Sequence, residues 1–223
     1  MKTTMQNAFS KDIRWVNAIV LILMAIVTVI AIEPWSAWDV DPNAHGYGWN
    51  RFCYFTIQSN FIAVITYIIA AYAIIRKKTL GGWFRYFRAG AVLYMLVTGI
   101  VFAILLSDIE LPLLSQKLKW KNFILHQFGP FFIMVWWLIW PSRLAISVIN
   151  SVRLLIFPML WTIFTFFRGY FIGWYPYPFL DSKEVGGKFE VGLYVMGIAA
   201  FFILLSQLLA WVSRARTNND TLY

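Results

Sequence analysis

The stretch WVNAIVLILMAIVTVIAI, residues 15–32, carries no charged side chain before Glu33-Pro34-Trp35 ends it. At about 1.5 Å of rise per residue, a helix of that length covers most of a ~30 Å hydrocarbon core. Lys2, Lys11 and Arg14 precede the run, as basic residues precede a secretory signal. The run is longer than a signal core and no small-residue cleavage site follows, so it reads as a retained first transmembrane span.

Five further apolar blocks of similar length follow, at about 54–75, 89–106, 123–140, 153–172 and 190–212. The breaks between them have physical causes. Arg76-Lys77-Lys78 ends the second block, Ser107-Asp108-Ile109-Glu110 the third, and Pro141-Ser142-Arg143 the fourth. Gly173 and the Trp174-Tyr175-Pro176-Tyr177-Pro178 run end the fifth, since proline lacks a backbone donor and disfavours helix just before it. The expected fold is an all-α integral membrane protein, a single six-helix bundle over residues 1–213 with a polar tail at 214–223.

Composition agrees. Hydrophobic residues make up 61% of the 223 positions and charged residues 13%, about half the share of a soluble domain. The net charge of +9 sits between the apolar blocks, which points to membrane topology and away from nucleic acid. Twelve Lys and Arg fall on the side of the N-terminus, the 76–88 and 141–153 loops and the C-terminus; seven fall on the other side. By the positive-inside bias both termini are cytoplasmic, and the acids Glu33, Asp39, Asp41, Asp108, Glu110, Asp181 and Glu184 lie outside. Tryptophan and tyrosine gather near the span ends, as an interfacial belt does.

Polar residues within spans are the exceptions that carry information. Thr56, Ser59, Asn60 and Ala63 share one helical face at the start of the second span, and a stripe this narrow faces the bundle interior. Helix–helix packing accounts for such a stripe equally well. His126 opens the fourth span just before Gly129-Pro130, where a helix bends and frees a carbonyl. Both spans enter from the outer side, so Thr56 and His126 lie at similar depth. A neutral histidine takes the proton of a threonine hydroxyl and makes it a nucleophile. Asn60, Asp181 and Arg168 are candidates by depth to orient the imidazole or hold an oxyanion, and Ser59 and Tyr177 are further supporting candidates. Arg168 is a snorkelling residue, a partner for Asp181 or a carboxylate binder. The Tyr175-Pro176-Tyr177-Pro178-Phe179-Leu180-Asp181 stretch reads as a rigid lid on the bundle. Cys53, the one cysteine, has no histidine near it in sequence to act as its base and reads as a packing residue. No phosphate-binding loop, zinc-type cluster or nucleophile elbow is present, so no metal or organic cofactor is implied.

Three segments resemble a known family: Arg51-Phe52-Cys53-Tyr54-Phe55-Thr56-Ile57-Gln58-Ser59-Asn60, the Leu125-His126 pair before Gly129-Pro130, and Tyr175 to Asp181. They are similar to the bacterial Pr-six-Pr membrane proteins, which in turn resemble the androgen-induced-gene family that includes the androgen-dependent tissue-factor-pathway-inhibitor-regulating protein. The resemblance implies a six-span fold. It also implies a threonine hydrolase of fatty acid esters of hydroxy fatty acids, with an essential Thr and His that match Thr56 and His126. The Tyr-Pro-Tyr-Pro-Phe-Leu-Asp loop belongs to the bacterial pattern, which leaves the substrate open and points to a bacterial cell membrane.

The expectation is an intramembrane lipid esterase whose partners are membrane lipid and a lipid-ester substrate. The rival reading is a non-catalytic lipid-binding or transport protein; the absence of an inverted repeat weighs against transport. No reading of oligomeric state follows. The charge bias predicts that a green fluorescent protein fused after Tyr223 fluoresces in cells. Alkaline phosphatase there should be inactive, and active when inserted after Gly186; the reverse pattern would overturn the orientation.

Overall fold

Backbone polar groups in a bilayer must pair within their own segment, which selects helices. The computed structural model describes residues 2–38, 48–110, 116–140 and 145–219, and these form helices α1 (Lys2–Ile32), α2 (Phe55–Ile75), α3 (Gly82–Val101), α4 (Ser107–Glu110), α5 (Gln116–Phe123), α6 (Gly129–Ile139), α7 (Ile156–Ile172) and α8 (Lys188–Asn219). Asp39, Asp41, His45, Pro141, Ser142, Arg143 and residues 220–223 lie outside the described residues, as do the side chains of Lys2, Lys11, Glu110, Lys117 and Arg216. No strand occurs among the described residues.

Among the described residues, six helical stretches are long and apolar enough to cross a membrane: Ile13–Trp38, Phe55–Ile75, Gly82–Leu106, Leu118–Ile139, Ile149–Ile172 and Lys188–Ala215. Their number and order are those expected, and the chain is a multi-pass helical membrane protein. Several edges differ. The third span begins at Gly82, not near residue 89, because Arg88 belongs inside the bundle. Its guanidinium donates to the carbonyls of Trp136 (3.3 Å) and Trp140 at the end of α6, and it lies 4.0 Å from the Trp136 ring. A cation at a helix C-terminus also offsets the negative end of the helix dipole. The fourth span starts earlier than residue 123 because α5 leads into it, and Lys121 on α5 pairs with Glu33. Helix α8 continues through Asn219, so the first residues of the polar tail are helical.

The core sits among α1, α2, α3 and α6, with Leu21, Tyr67, Leu93, Met95 and Ile133 fully buried. Polar pairs lock it: Trp136 donates to Asn17 (3.1 Å), Ser59 and Thr98 share a hydrogen bond (2.8 Å), and Tyr94 donates to the Leu154 carbonyl (2.8 Å). In membranes such bonds contribute roughly 0.6–2 kcal/mol each, so several are needed to fix one packing. At the end of α1, Arg51 donates to the carbonyls of Ile32 (2.6 Å) and Glu33 (3.2 Å) and to the Ser36 hydroxyl. Burial pulls the Arg51 guanidinium below its ordinary range, and Glu33 pulls it back up. By contrast α7 stands at the periphery, with only Pro158, Thr165 and Gly169 buried.

Among the described residues, two π-turns interrupt the helices, Phe102–Leu106 after α3 and Ile124–Phe128 before α6. Phe102 of the first lies against His126 of the second, and α3 approaches that turn closely at Gly99. A side chain on Gly99 would put its Cβ 2.8 Å from the His126 carbonyl and 3.2 Å from Pro130. Gly99→Val is therefore expected to lower stability by about 2 kcal/mol through overpacking, read as a lower apparent melting temperature in detergent. An unchanged melting temperature would contradict this close approach.

Candidate active site

The site begins at the N-terminus of α2, where the first amides have no intrahelical partner. Tyr54 precedes the helix in an extended conformation and gives it no side-chain cap. The cap comes from far along the chain: the Thr56 N–H donates to the Tyr177 hydroxyl at 3.1 Å. Tyr177 lies in the proline-bounded loop between α7 and α8. Its ring stacks on Phe179 (5.2 Å between centroids) and meets Tyr54 edge-on (5.4 Å). The loop seats on α7 where Gly169 leaves room, since a Cβ there would strike the Tyr175 ring. The indole of Trp161 on α7 donates to the Cys53 carbonyl (2.9 Å), tying that helix to the segment before α2.

Thr56 Oγ1 lies 3.2 Å from His126 Nε2 and 3.2 Å from the Tyr177 hydroxyl. His126 Nδ1 lies 3.2 Å from the Asn122 carbonyl. A carbonyl only accepts, so this pairing assigns the imidazole proton to Nδ1 and leaves Nε2 as acceptor for the threonine hydroxyl. With its own proton turned toward His126, Thr56 Oγ1 accepts from Tyr177. Donors and acceptors thus run in one direction through four groups. Thr56 and Tyr177 are buried, and His126 is half-buried.

Pro130 explains the place of the histidine. In an α-helix its amide would serve the His126 carbonyl four residues earlier, but proline has none. The helix takes a π-turn there, and the Gly129 N–H reaches back to Ile124. Phe102, the first residue of the facing π-turn, stacks on the imidazole with centroids 4.1 Å apart and planes 28° apart.

Thr56 and Tyr177 also line an apolar cavity of about 370 Å³, within the range of small-molecule sites. Its walls come from α2, α3, α7, α8 and the Tyr177–Leu180 turn, with Phe55, Phe102, Trp161 and Phe202 among them. Met159, Ile163 and Ile203, on the α7 and α8 walls, are exposed on the outer face of the bundle.

The other expected residues take different places. The stripe Thr56, Ser59, Asn60 and Ala63 is buried along its whole length. Asn60, expected as an oxyanion donor, spends both amide protons elsewhere, on the carbonyls of Thr56 (2.9 Å) and Leu125 (3.2 Å). It clamps α2 to the π-turn that carries His126. Ser59 bonds the Thr56 carbonyl (3.0 Å) as well as Thr98, and so steadies the turn that carries Thr56. Arg168 does not pair with Asp181. It donates to Asn50 (2.5 Å) and lies 5.2 Å from the Trp174 ring, while Asp181 accepts the Lys183 N–H (2.9 Å) within its own turn. The loop read as a lid supplies Tyr177 directly to Thr56. Phe102 and Asn122 had no sequence signal: one is an aromatic among many, and the other acts through its backbone.

The arrangement is that of a helical membrane protein holding a threonine–histidine pair against an apolar cavity. No family model, curated protein or solved structure matches the chain. Beside the site, burial pushes the Cys53 thiol up from its ordinary value while Arg168 pulls it down. Thiolate is the reactive form, so alkylation of Cys53 by iodoacetamide should be slow at neutral pH and still rising with pH where a free cysteine has levelled off. Arg168→Gln should slow it further; fast alkylation at neutral pH would contradict the burial.

Proposed function

We propose that this chain is an intramembrane hydrolase of lipid esters, with Thr56 as nucleophile and His126 as general base. The observation that carries the reading is the Thr56 Oγ1–His126 Nε2 contact of 3.2 Å, with Nδ1 held by the Asn122 carbonyl. The resemblance to the Pr-six-Pr and androgen-induced-gene families points the same way. We take the termini as cytoplasmic and the site as facing the outer leaflet of a bacterial cell membrane.

In the first half-reaction Thr56 Oγ1 attacks the ester carbonyl carbon as its proton passes to His126 Nε2. The carbonyl π electrons move onto oxygen. Collapse of that tetrahedral oxyanion expels the alkoxide, which takes the proton from His126 and leaves as the alcohol. The acyl group is then esterified to Thr56. Water attacks it, giving a proton to His126, and collapse returns that proton to Thr56 and frees the carboxylic acid.

Tyr177 is the donor best placed for the oxyanion. Its hydroxyl already lies on Thr56 Oγ1, and the Thr56 amide polarises it from behind. Donors fixed before reaction, in an apolar site, stabilise developing charge without reorganisation. The apolar cavity suits an acyl chain, and the exposed α7 and α8 residues along it let a lipid enter sideways.

Purified wild-type protein in detergent is expected to hydrolyse acyl esters. Thr56→Ala should abolish this, His126→Ala should lower kcat/KM by about 10²–10⁴-fold, and Tyr177→Phe by about 10²-fold. Hydrolysis that survives Thr56→Ala would remove Thr56 as the nucleophile, and binding of lipid with no turnover of any ester would favour the non-catalytic lipid-binding reading.

A further inference from the structure

His126 is bonded at both ring nitrogens, and two in-plane bonds leave one freedom. The imidazole can still roll about the line that joins them, which swings each nitrogen lone pair or proton out of line. A flat neighbour against the ring face removes that freedom. Phe102 is that neighbour, at 4.1 Å and 28°. Its ring is itself immobilised, being 2% exposed, and its backbone opens a π-turn whose Ser107 N–H returns to the Phe102 carbonyl. The same residue lines the apolar cavity, so it is shared between the substrate chamber and the base.

The helix register supports the pairing. Gly99, near the end of α3, and Phe102, the first residue of the π-turn that follows it, are three residues apart and share a face. Gly99, without a side chain, admits the His126 backbone, and Phe102 covers the His126 ring. One face therefore grips the histidine at both its main chain and its side chain.

We propose that Phe102 is the positioning residue of the base: its ring fixes the plane in which His126 Nε2 meets the Thr56 hydroxyl. Phe102 takes no proton and makes no bond to the reacting atoms. The inference rests on the hydrolase reading for its effect on rate, but its structural part is measurable without turnover.

The test uses the full chain in detergent, labelled with ¹⁵N-histidine. The sequence has two histidines, and His45→Gln assigns the His126 signals. Wild type should show His126 in one tautomer, protonated at Nδ1. Phe102→Leu, which keeps an apolar wall but removes the flat face, should give exchange-averaged nitrogen signals; Phe102→Tyr should restore the single tautomer. In hydrolysis, Phe102→Leu should lower kcat about tenfold with KM within about twofold, and Phe102→Tyr should stay within about threefold of wild type. If Phe102→Leu does not accumulate, Phe102→Met replaces it. A Phe102→Leu protein with the wild-type tautomer overturns the proposal. So does a change in KM alone, which would make Phe102 only a wall of the cavity. If wild type hydrolyses no ester yet its tautomer depends on Phe102, positioning stands and the hydrolase reading fails.

Discussion

Pro130 carries no amide hydrogen, so the His126 carbonyl loses the donor an α-helix would supply. The segment just before Pro130, Ile124–Phe128, is a π-turn, closed by the Gly129 N–H on the Ile124 carbonyl. Single π-turns recur at functional sites because they turn one side chain away from the α-helical lattice. Here that side chain is His126, directed at Thr56. The facing helix accommodates the widened turn only because Gly99 has no side chain. The π-turn that carries the imidazole and the bare Gly99 that faces it thus go together.

The polar residues of the site divide by what they hold. Asn60 and Ser59 bond main-chain carbonyls, of Thr56 and Leu125, and set the spacing between α2 and the π-turn. Tyr177 and His126 bond the threonine hydroxyl itself. Interhelical hydrogen bonds in membranes are individually weak, so an unaided Thr–His contact would be one of many rotamer choices. Four connected groups, with two aromatic stacks behind them, leave far fewer. Tyr177 carries the longest-range part of this arrangement, because it caps α2 from a loop 121 residues away in sequence.

Hydropathy made the spans legible, since a bilayer rewards apolar length directly, and the Thr56–Asn60 stripe was legible because helical spacing puts it on one face. Arg88 defeated the same reasoning. A charge normally marks a span edge, but this one is accepted by the Trp136 and Trp140 carbonyls at the end of α6 and lies over the Trp136 ring. Arg168 and Asp181 were joined by depth alone, and depth carries no information about azimuth around the bundle. Asn60 lies beside Thr56 and bonds the Thr56 and Leu125 carbonyls, which the sequence could not specify, since it shows an amide and not which carbonyls will claim it. Phe102 was invisible because stacking depends on a partner 24 positions later and on two helix irregularities.

Thr56 as nucleophile is the claim on which the reactive account depends. A fluorophosphonate forms a covalent bond only with an activated oxygen or sulfur, and peptide mass spectrometry locates it. Treatment of the purified protein should place the phosphonyl group on Thr56, with no adduct in His126→Ala. An adduct on Ser59 or Cys53, or ester hydrolysis unaffected by a probe that leaves Thr56 unmodified, would contradict the account.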